Sequence, residues 1–233
     1  MMTHEFAIFY KNFSELNQFI STDKDFIHRI IHVLRMKSGD TFIIFNQQYH
    51  GFLTLQDLTT KKVTGKLKNF QKNIIHVPHI TLFLPVLKKE ALSEAVYGAV
   101  ECGVSAIQLV MTEKIQRSWQ GKNELERLER VVIAAAEQAK CFSFPDIKEP
   151  ISLSAAISSL KSEHILCADP EGISLKELSI NGSCALFLGP EGGLTEKERN
   201  DLQVTNAIFF KLTPTILRAR QAAVLSIGFL RSL

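Results

Sequence analysis

The segment with the most suggestive residue types is LFLGPEGGLTEKE, residues 186–198. Its apolar start indicates a buried strand, and three glycines follow within five residues, namely Gly189, Gly192 and Gly193. A structural turn needs one glycine or two, whereas three leave the main chain bare enough for another molecule to lie against it. The segment therefore predicts a binding loop at the end of a buried strand.

The other residues of this segment indicate how the loop is shaped. Gly189 directly follows the strand and can adopt a positive φ, while Pro190 stiffens the turn and donates no hydrogen bond. Thr195 and Glu198 have the spacing of a capping box, which starts a helix. A well-made strand-to-helix turn without a ligand is the alternative explanation.

A second loop, LTPTILR at residues 212–218, separates the last predicted strand from the last predicted helix. Ligands of open α/β sheets bind beyond the carboxyl ends of the strands, so both loops are expected at the same edge of the sheet. The chain has no G-x-x-x-x-G-K-[ST], G-x-G-x-x-G or H-E-x-x-H motif and no G-x-S-x-G motif. Sites of those four kinds are therefore not expected.

The front of the chain shows the pattern of a small β-barrel with one helix packed on it. Short β patterns occur at residues 5–10, 41–45, 50–58 and 61–70. An amphipathic helix is predicted at 23–35, where apolar residues recur at helical spacing.

Beyond residue 75 the pattern changes to strands that alternate with helices. Strands are predicted at 79–85, 106–111, 164–168, 184–188 and 207–211. Helices are predicted at 89–102 and 216–232, and a capping box of Asn123 and Glu126 begins a further helix between them. Such alternation is typical of a parallel α/β sheet. We therefore predict an α/β protein with two domains, 1–74 and 75–233.

Composition and charge indicate the class of partner. The 233 residues are 45% hydrophobic and 22% charged, as in ordinary globular proteins. Residues 1–74 carry ten Lys and Arg against six Asp and Glu, whereas the remainder carries 17 against 18. A basic front domain favours an anionic partner such as nucleic acid; solvated surface lysines are the alternative.

The cysteines and apolar runs indicate the compartment. Four cysteines form no C-x-x-C pair, so we expect reduced thiols in a cytoplasmic protein and no metal site. No stretch approaches 18 apolar residues, and the start lacks a signal-peptide pattern. We therefore expect no membrane association.

Both loops resemble those of one enzyme family. LFLGPEGGLTEKE, followed about twenty residues later by LTPTILRARQAA and a terminal helix, is similar to the G-P-E-G-G and L-G-x-x-I-L-R-x-E-T-A motifs of RsmE-type ribosomal RNA methyltransferases. These enzymes belong to the SPOUT (trefoil-knot) superfamily. The resemblance extends to HRIIHVLRMKSGDTFIIFN near the front and ERLERVVIAAAEQA in the middle, so it covers nearly the whole chain.

The resemblance implies a fold and an activity. The front domain would be a PUA-like, RNA-binding β-barrel, and the second a parallel-sheet methyltransferase domain whose C-terminal chain forms a knot. The protein would be a homodimer that uses S-adenosylmethionine to methylate N3 of a uridine in small-subunit (16S) ribosomal RNA. The residues expected to hold the cofactor are Ala168, Leu188, Gly189, Glu191, Gly192, Gly193, Leu212, Ile216 and Leu217.

The resemblance also suggests roles for charged residues. Arg218 is the candidate that stabilises negative charge on the uracil or holds a phosphate. Glu191 is expected either to bond main-chain amides of its own loop or to act as a base. The residues expected to contact RNA are Arg29, Arg35, Lys37 and Arg220.

Several positions depart from the family pattern. Arg220 and Gln221 stand where the family has Glu and Thr. This reverses a charge near a cationic cofactor, where one unit pair at roughly 5 Å and an effective dielectric of about 20 is worth about 3 kcal/mol. Gly98 and Val100 replace a Lys and a Thr of the family's first helix. Two alternatives therefore stay open: an RNA-binding or ribosome-assembly homologue with weak or no activity, and an α/β enzyme that binds a different nucleotide.

Overall fold

The computed structural model describes residues 6–14, 18–174, 177–178 and 180–233, and these form two compact units, Met1–Ile75 and His76–Leu233. Among the described residues, no helix is both long and apolar enough to cross a membrane. All four cysteines are free thiols, and Cys102 is the one that is partly accessible.

The N-terminal unit is a five-stranded sheet with one short helix. Its strands are β1 (Ala7–Phe9), β2 (Gln18–Ser21), β3 (Thr41–Phe45), β4 (Tyr49–Leu58) and β5 (Val63–Lys72). They lie in the order β1-β3-β4-β5-β2, and the pairs are antiparallel except for β1 with β3. The small β domain expected at the front of the chain is therefore present, with β2 as a strand that the sequence pattern did not reveal.

The helix of this unit begins and ends close to its predicted bounds. Helix α1 (Lys24–His28) starts at Asp23, whose carboxylate accepts the main-chain N–H groups of residues 25 and 26, and it continues into a π-helical turn, Arg29–Val33. Its apolar face packs on the inner face of the sheet, with Phe26 and Ile30 in one buried cluster with Phe42 and Leu53.

The C-terminal unit is a six-stranded parallel sheet covered by helices. Its strands are β6 (Ile80–Pro85), β7 (Ala106–Met111), β8 (Ile147–Ser152), β9 (His164–Ser174), β10 (Cys184–Leu188) and β11 (Ile208–Lys211). Their order is β11-β9-β10-β6-β7-β8, and every neighbouring pair is parallel. The predicted parallel α/β sheet is confirmed.

The helices of this unit divide into two groups. Helices α2 (Lys89–Glu101), α3 (Lys122–Ala139) and α6 (Ala219–Ser232) lie together, with α2 against both of the others, while α4 (Leu153–Ser158) contacts α5 (Glu196–Val204). The α4 and α5 side of the core contains Phe83 and Phe187, whose rings stack with centroids 4.3 Å apart. The central strands are therefore buried on both faces, as their apolar sequences require.

The end of helix α6 is fixed to the start of the sheet by one side chain. The Arg231 guanidinium donates hydrogen bonds to the carbonyl oxygens of Gly103 and Pro78 and to the Ser105 hydroxyl. Burial lowers the pKa of this guanidinium. Because these acceptors lie where β6 and β7 begin, Arg231 holds the last turn of the chain against the amino edge of the sheet.

One local prediction about this unit is wrong, and two of its elements were not predicted. Helix α3 is capped by Gly121 at φ 69° with no side-chain cap bond, so Asn123 and Glu126 form no capping box. The reason is that the helix starts one residue before Asn123, so the Asn123 side chain lies within the first turn and not at the capping position. Strand β8 and helix α4 were also missed, because residues 147–158 carry neither a long apolar run nor a clear period.

Candidate functional site

Three chain segments meet at the carboxyl edge of the parallel sheet. Strand β10 ends at Leu188, β9 bulges between Cys167 and Ile173, and the chain from β11 to α6 crosses the same edge. Together with the start of α2 they surround a cleft of about 690 Å³. This volume lies in the usual range for a site that binds a small molecule.

The glycine-rich loop forms one wall of this cleft. Its turn is closed by a hydrogen bond from the Gly193 N–H to the Pro190 carbonyl, 2.8 Å long. Gly193 has φ +70°, whereas Gly189 does not have a positive φ. Gly189 therefore does not use the positive φ that a glycine after the strand could adopt, because the chain reverses at the end of the turn.

Helix α5 begins with the predicted capping box, which is confirmed. The Thr195 hydroxyl accepts the Glu198 N–H at 3.2 Å, and the Glu198 carboxylate accepts the Thr195 N–H at 2.8 Å. The same buried carboxylate also accepts the N–H of Glu113 at 2.8 Å. Glu198 therefore ties the glycine-rich loop to the loop that follows β7.

The loop after β7 lies directly against the glycine-rich loop. The Lys114 ammonium donates to the Leu194 carbonyl at 3.2 Å. A methyl group added at Gly192 would lie 3.3 Å from Cβ of Lys114. Gly192 thus allows close approach of these two loops, and it does not line the cleft itself.

The bulge of β9 places a carboxylate at the cleft. Asp169, 9% exposed, pairs with Arg199, whose guanidinium also lies 5.2 Å from the centre of the Phe209 ring. A Cβ at Gly172 would lie 2.5 Å from the carbonyl carbon of Phe209, so only glycine fits where β9 meets β11. The family resemblance pointed to Ala168 but did not single out the neighbouring Asp169 side chain.

Most residues predicted to hold a cofactor converge on the cleft. It is lined by Ala168, Leu188, Gly189, Glu191, Gly193, Ile216 and Leu217. Leu212 lines a smaller adjoining pocket of about 60 Å³, which shares Ala168 and Leu217 with the cleft. Apolar side chains and bare main chain thus form neighbouring walls, an arrangement suited to an adenine ring and an amino-acid chain.

The two predicted catalytic side chains lie on the same cleft. Arg218 is the residue that precedes α6, and Glu191 lies in the glycine-rich loop. Both are exposed, and neither side chain makes a hydrogen bond or an ion pair with any described residue. The expectation that Glu191 bonds main-chain amides of its own loop is not met, because the Gly193 N–H closes that turn.

Arg220 is held by an ion pair at the rim of the cleft. Its guanidinium donates to the carboxylate of Glu94 on α2, and both residues line the cleft. The neighbouring Gln221 has a buried Oε1 with no partner among the described residues. Glu94 was not identified from the sequence. The one signal of an acidic partner was Arg220 itself, an arginine where the family has a glutamate.

An ion pair with a buried carboxylate supports the start of α2. The Arg117 guanidinium pairs with both oxygens of Glu124, at 2.9 and 2.6 Å, and donates to the Leu87 carbonyl at 2.5 Å. Burial by itself raises the pKa of Glu124. The net effect is nevertheless a lowered pKa, because the carboxylate accepts hydrogen bonds from Arg117 and the Gln120 N–H and lies near the positive charges of Arg117 and Arg127. Leu87 lines the cleft, so this pair fixes one of its edges.

The residues predicted to bind RNA in the N-terminal unit lie on and after its helix. Arg29 starts the π-helical turn, Arg35 follows it with φ +53°, and Lys37 is exposed in the turn before β3. Strand β5 adds the exposed side chains of Lys66 and Lys68. No cluster of three or more His, Cys, Asp or Glu residues that could hold a metal ion occurs in the described part of the chain.

The fold is shared with solved methyltransferases. A methyltransferase of Legionella pneumophila in complex with S-adenosylmethionine superposes with a TM-score of 0.90 at 20% identity, covering 99% of this chain and 98% of that one. A ribosomal RNA small subunit methyltransferase E from Neisseria gonorrhoeae, bound to the same cofactor, superposes with a TM-score of 0.89 at 22% identity over 98% of each chain. The predicted architecture is confirmed: a parallel-sheet α/β domain with a small β domain in front of it.

Sequence comparison identifies the family. Residues 75–231 match the RNA methyltransferase domain family. Proteins named ribosomal RNA small subunit methyltransferase E are similar over nearly the whole chain: that of Buchnera aphidicola is 28% identical, covering 96% of this chain and 94% of its own, and that of Rickettsia conorii is 28% identical, covering 89% and 86%. The chain belongs to the RNA methyltransferase family.

Proposed function

We propose that this protein transfers a methyl group from S-adenosylmethionine to N3 of a uridine in small-subunit ribosomal RNA. The observation that carries the proposal is the cleft of about 690 Å³ at the carboxyl edge of the sheet, where the glycine-rich loop and the Leu212–Arg218 loop converge. The relatives named above are ribosomal RNA small subunit methyltransferases, which supports the choice of substrate.

The walls of the cleft fit the cofactor. Ala168, Leu188 and Leu217 supply apolar surface for an adenine ring, and Gly189 presents main chain without a side chain in front of it. When bound, S-adenosylmethionine supplies an electrophilic methyl group on a positively charged sulfur.

Arg218 and Glu191 are free to act on the RNA because neither is engaged elsewhere in the described structure. N3 of a uridine carries a proton and is a poor nucleophile until that proton leaves. Glu191 can accept the proton, and Arg218 can stabilise the negative charge that develops on the uracil. The target base must leave its stack to reach the cleft.

The proposed RNA-binding domain comprises residues 1–74, nearly the whole of the N-terminal unit. Its half-buried Arg29 and its exposed cations, Arg35, Lys37, Lys66 and Lys68, can neutralise phosphates. Replacing any one of them by a neutral residue should reduce the slope of log affinity against log salt concentration by about one unit, if that cation binds a phosphate. An enzyme with this substrate acts where small subunits are assembled, so we place it in the cytoplasm.

We further propose that the protein is a homodimer. An apolar cleft of about 660 Å³ lies between α2, α3 and α6 and is lined in part by Tyr97, Val131, Val224 and Leu225. Leu225 is 47% exposed in the single chain, and a second copy would cover it. Light scattering should show that the parent protein is a dimer and that Leu225→Asp is a monomer. If both proteins are dimers, this interface is contradicted.

The decisive test supplies labelled S-adenosylmethionine and small ribosomal subunits from cells that lack the gene. We expect the label in N3-methyluridine at one position, and Arg218→Gln should lower kcat by a much larger factor than it changes cofactor affinity. Cofactor and RNA binding without transfer would favour a non-catalytic homologue. Failure to bind the cofactor would favour a different nucleotide ligand.

A further inference from the structure

One ion pair lies between two clefts of the C-terminal unit. Glu94 on α2 and Arg220 in the first turn of α6 line both the proposed cofactor cleft and the apolar cleft beside it. The pair joins helices that approach each other closely, since a Cβ at Gly98 would lie 2.5 Å from Cγ2 of Val224. The side chains are 36% exposed for Arg220 and 51% exposed for Glu94, so both are accessible to solvent.

The charges around the cofactor cleft are closely balanced. Its cationic residues are Lys88, Arg218 and Arg220, and its acidic residues are Glu90, Glu94, Asp169 and Glu191. Asp169 is neutralised by Arg199, which does not line the cleft. Three charges of each sign therefore remain, and the loss of one partner of an ion pair leaves the other uncompensated.

This balance matters because the two forms of the cofactor differ in charge. The methyl donor carries a positive charge on sulfur. When the methyl group leaves, the electron pair of the broken bond stays on sulfur, and S-adenosylhomocysteine is neutral there. The ratio of the two affinities therefore reports the electrostatic potential of the cleft, while changes of shape or packing affect both ligands alike.

We propose that the Glu94–Arg220 ion pair sets the preference of this cleft for the charged methyl donor over the neutral product. The negative charge of Glu94 compensates the positive charge of Arg220 at the start of α6, so that this arginine does not repel a cationic cofactor. The proposal rests on the proposed function, because it assumes that the cleft binds S-adenosylmethionine.

Two single variants should shift the preference in opposite directions. Glu94→Gln leaves Arg220 uncompensated and should lower the ratio of donor to product affinity about fourfold, the effect of a unit charge on the order of 10 Å away at an effective dielectric of about 40. Arg220→Gln leaves Glu94 uncompensated and should raise the ratio by a similar factor. The matched control is Glu101→Gln, which removes the same charge from α2 at a residue outside the cofactor cleft, and its ratio should stay close to that of the parent.

Calorimetric titration with S-adenosylmethionine and with S-adenosylhomocysteine measures both affinities without any turnover. The shifts should shrink as salt is raised from about 50 to 500 mM, because exposed charges are screened. The exchange variant E94R/R220E restores a pair of opposite charges and should return the ratio to the parent value.

The outcomes separate this proposal from the proposed function. Equal weakening of both ligands in Glu94→Gln would show a purely structural pair and would overturn the proposal, as would an unchanged ratio in both single variants. A parent protein that binds neither ligand would overturn the proposed function itself and the proposal with it.

Discussion

The conformation of Gly193 gives a quantitative test of the glycine-rich loop. This residue has φ +70°, and a Cβ added there would meet no atom within 4 Å. Any loss of stability on substitution must therefore come from the backbone conformation and not from a clash. The left-handed conformation costs most L-residues roughly 1–2 kcal/mol, and asparagine tolerates it better than alanine does.

Gly193→Ala should therefore lower the free energy of unfolding by about 1 kcal/mol, after the opposing gain of roughly 0.4–1 kcal/mol from a less flexible unfolded chain. For a chain of this size that corresponds to a fall in Tm of about 2–4 °C. Gly193→Asn introduces a larger side chain but should cost about half as much. Thermal unfolding followed by circular dichroism measures both variants against the parent.

Gly189→Ala is the matched control in the same loop. Its added Cβ would lie 3.5 Å from the Leu194 nitrogen, an ordinary contact, and its φ is not positive. It should leave Tm nearly unchanged while lowering cofactor affinity, because Gly189 lines the cleft. If asparagine at 193 destabilises as much as alanine, or if Gly189→Ala lowers Tm more than Gly193→Ala, the conformational argument is refuted.

Two further substitutions test packing and charge. Gly98→Ala places a methyl group 2.5 Å from Cγ2 of Val224 and should lower the free energy of unfolding by about 1–3 kcal/mol in chemical denaturation. Glu124→Gln removes the carboxylate that Arg117 holds and should cost about 3 kcal/mol at pH 7. The pKa of Glu124 in the folded protein is lowered from 4.5. The stability that its charged carboxylate contributes is therefore complete above about pH 4.5 and is lost as the pH falls through the folded pKa. The difference in Tm between the parent and Glu124→Gln should accordingly narrow toward pH 3.

Each of these has its own control. Val224→Ala combined with Gly98→Ala should recover most of the stability, and no recovery would mean that the helices do not meet there. A Tm difference for Glu124→Gln that stays constant between pH 7 and pH 3 would contradict the lowered pKa.

The sequence predicted the elements with strong local signals. Strands β3, β7 and β10 have the predicted bounds, because each is a short apolar run between turn residues. The capping box of Thr195 and Glu198 was also visible, since its two partners lie three residues apart. Strand β8 was missed because its sequence is largely polar, and strand β2 because four residues are too few for a clear pattern. The pairing of both strands is set by neighbours far along the chain.

The site was predictable where main chain forms it and less so where side chains meet from distant segments. The motif placed the glycine-rich loop and the Leu212–Arg218 loop on one cleft, which the sheet order brings together. The pairing of Glu94 with Arg220 joins residues 126 positions apart, and the second bond of Glu198, to Glu113, spans 85. No local pattern encodes such contacts, although the first of them sets part of the charge of the cleft.

The most direct test of the central claim is the content of N3-methyluridine in small-subunit ribosomal RNA, measured by mass spectrometry in cells with and without this gene. Deletion should remove one such nucleoside per subunit, the intact gene should restore it, and a gene that encodes Arg218→Gln should restore little. An unchanged content after deletion, or a loss that the intact gene does not reverse, would contradict the assignment of this cleft to methylation of ribosomal RNA.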